Sequence, residues 1–250
     1  MWEVVAGFLI GGAIGITGVG GGIITAPVLI LLFHLPPAQG VGTALIFSAA
    51  VKANALLLYL KRRQVDFVVL GWLLLGGVPG ALAGSVALDR FKYSGSNPVI
   101  LTFVGLTVMV SALFNLRRSW TGVGVRENQY RRLPWLSLPI GMEVGFSSAG
   151  SGALGSIILL RFTQLKPVCV VGTDLAFGMV LSAISGGIHA AAGNWDRAML
   201  VKLLIGGWLG ASVGAWYSGL VPARMLRVAI LLWAIVLGGL LAAKGLGRLP

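Results

Sequence analysis

Apolar residues run along this chain in long blocks, not in the short alternations of a soluble fold. Eight blocks stand near 4–33, 38–60, 67–88, 98–116, 136–160, 167–192, 198–219 and 223–243, divided by short polar breaks. About 20 apolar residues cross ~30 Å of hydrocarbon as a helix. The pattern therefore predicts an all-α membrane protein of about eight hydrophobic segments. Segment 1 is too long for one crossing, since thirty helical residues would reach about 45 Å. It is also interrupted by Gly18-Val19-Gly20-Gly21-Gly22, and segment 5 by Ser147-Ser148-Ala149-Gly150-Ser151-Gly152. Each glycine costs a helix about 1 kcal/mol relative to alanine, and irregular backbone at membrane depth survives only where protein or water satisfies it. Segments 1 and 5 are expected to be broken or re-entrant.

Composition agrees with a bilayer and narrows the chemistry. The 250 residues are 57% hydrophobic and 10% charged, with a mean hydropathy of +0.93; soluble domains carry about 25% charged residues. The formal charge of +12 raises nucleic-acid binding. However, the basic residues fill the breaks between apolar blocks, as in Lys61-Arg62-Arg63, Arg117-Arg118 and Arg131-Arg132. That is how membrane proteins fix their orientation, basic loops staying cytoplasmic, so no nucleic-acid partner is expected. The single Cys169 excludes a disulfide scaffold and a dithiol relay. The first block continues past the length of a signal-peptide core and lacks a basic start, so a cleavable signal is not expected. No phosphate-binding loop of the Gly-x-x-x-x-Gly-Lys-Ser/Thr type is present. Neither a cofactor nor a metal is implied.

The chain repeats itself. Pairing 11–90 with 141–220, an ungapped offset of 130, gives 22 identities in 80 positions. Gly15, Gly22, Pro37, Gly42, Thr43, Phe47, Asp66, Gly77 and Gly84 meet Gly145, Gly152, Pro167, Gly172, Thr173, Phe177, Asp196, Gly207 and Gly214. The expected organisation is a first repeat over 1–116, a basic cytoplasmic loop over 117–135 and a second repeat over 136–250. Repeated halves with a site between them are a common plan of secondary transporters. If all eight segments cross, the loops on the two sides carry 11 and 6 Lys+Arg, and the repeats are parallel. If segments 1 and 5 dip in and return, the split is 12 and 5, the termini face outward, and the repeats are inverted. Loop charge allows both.

Candidate chemistry lies in the breaks and in the few polar residues inside apolar blocks. A broken helix offers free N–H groups and a positive helix end to an anion. Gly18, Gly20, Gly21, Gly22, Gly150, Ser151 and Gly152 are expected to supply such donors, and Ser148, Thr43 and Thr173 hydroxyls. Lys52, inside segment 2, should face a cavity or a partner; it is read as the cation for an anionic substrate, with an ion pair to Asp174 as the alternative. Asp174 and His189 are the coupling or ion-pair candidates. Glu143 reads as an interfacial or hydrogen-bonded structural residue, with a proton relay as the alternative, Asn54 as a helix-packing residue, Lys202 as a snorkelling one. Asp66 and Asp196 read as N-caps, and the glycine ladders at 76–84 and 206–214 as close helix packing.

The order Gly-x-x-Gly-x-Gly-Gly-Gly, Pro27, Gly42-Thr43-x-Leu45 and Val65-Asp66, duplicated in part in the second half, where Ser148 and Ser151 dilute the glycine run, resembles the TauE/SafE family, also called the sulfite exporter or toluene-sulfonate uptake permease family. The resemblance covers nearly the whole chain. It implies a multi-pass carrier of a bacterial or archaeal inner membrane that moves sulfite or sulfur-containing organic anions, driven by an ion gradient (H+ or Na+). Relatives carry Gly-Thr-Asp-Leu in both halves, with a lysine nine residues after the first Thr and a histidine fifteen after the second Asp; Lys52 and His189 match those spacings. Ala44 stands where the first Asp would be, so the halves are expected to contribute unequally. The resulting expectation is alternating access around a small anion bound between the halves. A homo-oligomer is compatible with it. The rival readings are a non-transporting assembly subunit and an intramembrane enzyme built on Ser147, Ser148 and His189.

Overall fold

The computed structural model describes residues 1–17, 22–93, 97–118, 128–149, 154–217 and 223–247. Its helices are α1 (Trp2–Thr17), α2 (Gly22–Leu31), α3 (Pro37–Lys61), α4 (Phe67–Tyr93), α5 (Asn97–Arg118), α6 (Leu133–Ser147), α7 (Leu154–Phe162), α8 (Pro167–Ala191), α9 (Arg197–Tyr217) and α10 (Ala223–Gly245). Among the described residues no strand occurs. Six helices, α3, α4, α5, α8, α9 and α10, are long and apolar enough to cross a membrane. The two segments with central glycine and serine runs are each divided in two, α1 from α2 and α6 from α7. The expected all-α membrane fold with broken first and fifth segments is what the structure has.

Close contacts fix the direction of each helix. Along α1, Gly7, Gly11 and Gly15 lie against Leu203, Gly207 and Ala211, so α1 and α9 run parallel. Along α4, Gly76, Gly80 and Gly84 lie against Pro134, Leu138 and Met142, so α4 and α6 also run parallel. In contrast, α3 and α8 are antiparallel: Gly42 lies beside His189, Gly186 beside Ile46, and Gly172 beside Tyr59. The α5–α10 pair is antiparallel too, with Gly105 against Ala242 and Gly245 against Pro98. These ladders work because a Cβ at most of these glycines would strike backbone of the facing helix, the close approach that small residues permit between membrane helices.

The directions settle where each chain end lies. The 192–196 turn sits at the start of α3, since Asn194 covers Gly42 and Asp196 N–H donates to Thr43 Oγ1 at 2.9 Å. From that end α9 rises beside α1, whose Glu3 pairs with Lys202 at 2.9 Å. The start of α1 and the end of α2 therefore share one end of the bundle, and the pair dips in and returns. By the same reasoning α6 and α7 enter and leave at the opposite end. There Gln129 N–H donates to Phe162 O at 2.9 Å, tying the central loop to the α7–α8 turn. Of the two topologies that loop charge allowed, the structure has the re-entrant one.

Positions 130 residues apart also make matching bonds. Asp66 N–H donates to Thr173 Oγ1 at 3.0 Å, as Asp196 does to Thr43. Asp66 caps Val69 N–H at 2.9 Å, and Asp196 caps Met199 N–H at 2.8 Å. The buried rings of Phe47 and Phe177 fill the spaces left by Gly207 and Gly77. Arg63 and Gly193 both end their helices at positive φ, 52° and 72°.

Candidate functional site

At the crossing of α3 and α8, Lys52 Nζ donates to Ser182 Oγ at 3.5 Å. The two residues are 130 apart, so equivalent positions of the sequence repeat touch each other. Each is the sixteenth residue of a 25-residue helix. Lys52 is 1% exposed and Ser182 likewise. An ammonium enclosed at membrane depth costs a few kcal/mol unless partners or a substrate answer it. One turn before Lys52 stands Ser48, and one turn after Ser182 stands Ser185, both fully buried. Among the described residues neither Ser48 Oγ nor Ser185 Oγ has a hydrogen-bond partner. A buried hydroxyl left unpaired costs about 1–3 kcal/mol, so two beside a buried cation mark a place shaped for something polar.

Asp174 lies eight residues before Ser182 on the same helix, about 12 Å by helical rise. It is 1% exposed. Ser156 Oγ donates to its Oδ2, and Gly155 admits its Oδ1 where any side chain would collide. The first turn of α7 thus holds this carboxylate, whose charge acts on Lys52. The matching positions in the first half are Ala44 and Ala26, so acid and hydroxyl come from the second half and the cation from the first.

The two breaks approach each other. Gly22, at the start of α2, lies against the backbone carbonyl and hydroxyl of Ser148, where a Cβ would not fit. Ser148 ends α6 in the left-handed region at φ 65°, a conformation that costs a non-glycine residue about 1–2 kcal/mol; Gly18 stands at the equivalent position. Ser148 Oγ is buried and has no partner among the described residues. The other expected break residues, Gly18, Gly20, Gly21, Gly150, Ser151 and Gly152, lie outside the described residues.

Not every candidate gathers here. Thr43 and Thr173 sit nine residues before Lys52 and Ser182, about 13 Å away along their helices. Each hydroxyl holds the amide of an aspartate from the other half. His189 closes α8 near the α3 start: its Nε2 meets Gly145 O at 3.1 Å, and its Nδ1 faces Asn194 Nδ2 at 3.5 Å. Asn194 in turn bonds Asp89 at 3.0 Å and Lys92. Tyr59 and Gln64 hold the corresponding places beside Gly172. Asn54 bonds Ser212 Oγ at 3.0 Å, tying α3 to α9. Ser48 and Ser185 escaped sequence reading because serine is common in membrane helices; the offset from Lys52 to Ser182 was the signal that could have led there.

Two crevices flank the crossing. One of about 390 Å³, lined by Ile46, Ala49, Ser182, Gly186, Trp195 and Leu200, reaches Ser182 from the end where α3 begins. Another of about 600 Å³, lined by Asn54, Ala55, Lys61, Arg62, Ser212 and Trp216, opens at the opposite end. Both fall in the size range of small-ligand sites. Among the described residues no cluster of three or more His, Cys, Asp or Glu could hold a metal ion.

Comparison with known proteins adds the context. A family model described as sulfite exporter TauE/SafE matches residues 4–241. The chain is 26% identical over 235 residues to the probable membrane transporter protein YjnA of Bacillus subtilis, covering 90% of this chain and 92% of that one. It is 28% identical over 240 residues to YdhB of the same organism, also named a probable membrane transporter protein, covering 94% and 96%. A probable membrane transporter protein of Sinorhizobium, ORF9, is 28% identical across 93% of this chain and 88% of its own. No solved structure matches.

Proposed function

This chain is a membrane transporter of the sulfite exporter TauE/SafE family, and from that premise we propose that it is a secondary carrier of small anions, sulfite or an organosulfonate. The substrate binds where α3 crosses α8, between two inverted repeats, 1–116 and 136–250. The observation that carries this reading is the enclosed Lys52 ammonium on Ser182, beside the hydroxyls of Ser48 and Ser185, which have no hydrogen-bond partner among the described residues. Lys52 supplies charge and the serines supply donors. Asp174 balances the cation when no anion is bound. Thr43 and Thr173 hold the halves together rather than touching substrate. Rocking of one half on the other opens the crossing to each side in turn.

Orientation follows from loop charge. With the re-entrant topology, 12 loop Lys+Arg lie at the end bearing loop 117–135 and 5 at the end bearing both termini. The basic end faces the cytoplasm of a prokaryotic inner membrane.

The test is uptake and binding of labelled sulfite and sulfonates by the purified protein in liposomes, with Lys52→Met and Lys52→Arg alongside. A charge-assisted bond contributes about 1.5–3 kcal/mol, so Lys52→Met should weaken binding roughly 10- to 150-fold. Lys52→Arg should keep part of it. Wild-type affinity in a well-inserted Lys52→Met protein would sink the site.

A further inference from the structure

The crossing leaves one intramembrane acid unused. Glu143 lies on α6 in a crevice of about 390 Å³ between α4, α5 and α6. Three phenylalanines of the crevice, Phe91, Phe103 and Phe146, pack on one another with ring centroids 6.2–6.5 Å apart. Phe91 and Phe103 are exposed on the outer surface of the bundle, so the crevice opens toward lipid. Ser111 Oγ on α5 donates to Glu143 Oε1. The described charged or titratable side chains on elements packed against α6 are Asp89, Arg90 and Lys92 on α4, Arg117 on α5, Arg161 on α7, Cys169, Asp174 and His189 on α8, and Tyr130, Arg131 and Arg132 in the turn before α6. None of them lines the crevice; Asp89 and Lys92 bond Asn194, and His189 bonds Gly145 O. Glu143 takes part in no ion pair among the described residues.

The other half supplies a control built into the chain. A crevice of about 360 Å³ repeats this one at the offset of 130, with Gly12, Ala13, Ile16 and Gly214 in place of Met142, Glu143, Phe146 and Gly84. There Ala13 stands in place of the acid. The acid therefore occurs on one side of the repeat and is replaced by a methyl group on the other. Packing alone does not call for the acid, because the repeated geometry is built without it. A carboxyl at membrane depth with no cation beside it is expensive when ionised and much cheaper when neutral. A group in that position suits taking up and releasing a proton.

We propose that Glu143 is a proton-binding site of this carrier, reached through the α4–α5–α6 crevice and held by Ser111, and that its protonation is linked to substrate movement. The link rests on the transporter reading above; the proton site itself does not.

The experiment has two arms. In the first, the protein in liposomes is treated with dicyclohexylcarbodiimide, an apolar reagent that dissolves in lipid. A protonated carboxyl gives its proton to a reagent nitrogen while its oxygen adds to the central carbon; nothing leaves, and the adduct is read by peptide mass mapping. The chain has seven acids, and Glu143 should be modified while the enclosed Asp174 is not. Modification should fade as pH rises, and a water-soluble carbodiimide should fail. No adduct at Glu143, or one indifferent to pH, overturns the proposal. In the second arm, an imposed pH gradient should drive anion uptake by the wild type. Glu143→Gln should lose that response while retaining anion exchange, and Glu143→Asp should recover part of it. A gradient response that survives in Glu143→Gln overturns the linkage. If the wild type moves no anion offered, the anion reading fails, and the labelling arm still decides the proton site.

Discussion

Replacing Thr43 or Thr173 by valine removes one hydroxyl acceptor and changes the side-chain volume little. Both threonines are fully buried, and their oxygens accept the Asp196 and Asp66 amides at 2.9 and 3.0 Å. Each substitution strands one amide in a site with little access to water. The cost of such a group is about 1–3 kcal/mol; the solvent-near position of the turns favours the lower part, about 1–2 kcal/mol. For a chain of this size that corresponds to roughly 2–8 °C in Tm. Gly172 lies beside Tyr59, sixteen residues beyond Thr43, so the two clasps stand about 24 Å apart along the bundle. At that separation the losses should add in the double variant. Thermal unfolding followed by tryptophan fluorescence in one detergent, with substrate titration on the same samples, measures both consequences. Serine at either position should restore stability, and substrate affinity should stay within about twofold throughout. A valine variant that unfolds like wild type but loses substrate affinity would refute the clasp and return the threonines to the binding site.

Three further outcomes are expected. Gly80→Ile and Gly210→Ile should each collapse expression of folded protein, because both would drive a side chain into the backbone of the facing helix; Gly71→Ile, with open space around it, is the tolerated control. His189→Gln should keep most of the stability that His189→Ala loses, about 1–3 kcal/mol, since an amide N–H can still reach Gly145 O; scanning calorimetry distinguishes them. With Cys169→Ser as background, a cysteine at His34 or Gly193 should react with an impermeant maleimide applied to intact cells, and one at Arg63 should not. The reverse pattern would invert the proposed orientation.

Much of the fold was legible because hydrocarbon thickness imposes its own ruler. The apolar blocks at 38–60 and 167–192 become α3 and α8 with ends displaced by a residue or so, and the glycine interruptions fall where helices stop. The choice between topologies was not legible. Loop charge of 11 against 6 and of 12 against 5 obeys the same rule, and only the sequence of contacts along α1 and α9 decides. The candidate site was legible only in its charged members. Lys52 and Asp174 announce themselves by the cost of charge in lipid, whereas Ser48 and Ser185 are ordinary residues until their neighbours are known. A duplicated Gly-Thr can equally be a fastening, and sequence spacing does not say which way a hydroxyl turns; that the Thr43 and Thr173 oxygens accept the Asp196 and Asp66 amides was not legible. Glu143 has the hydrogen bond expected of it, from Ser111; its aromatic crevice, built by α4, α5 and α6 together, was not legible from one segment.

The number of crossings in each half carries its own consequence. Among the described residues, three helices of 1–116 and three of 136–250 are long enough to cross, an odd count, so in the proposed two-repeat plan each half finishes on the opposite face of the membrane from where it began. A tandem copy joined by a short linker has no choice but to enter upside down. Head-to-tail fusion alone thus brings residue 52 onto residue 182, and one ancestral side chain would have met its own twin at that contact. Divergence to lysine and serine avoids confronting two like charges there, and it also removes the equality of the inward- and outward-facing arrangements.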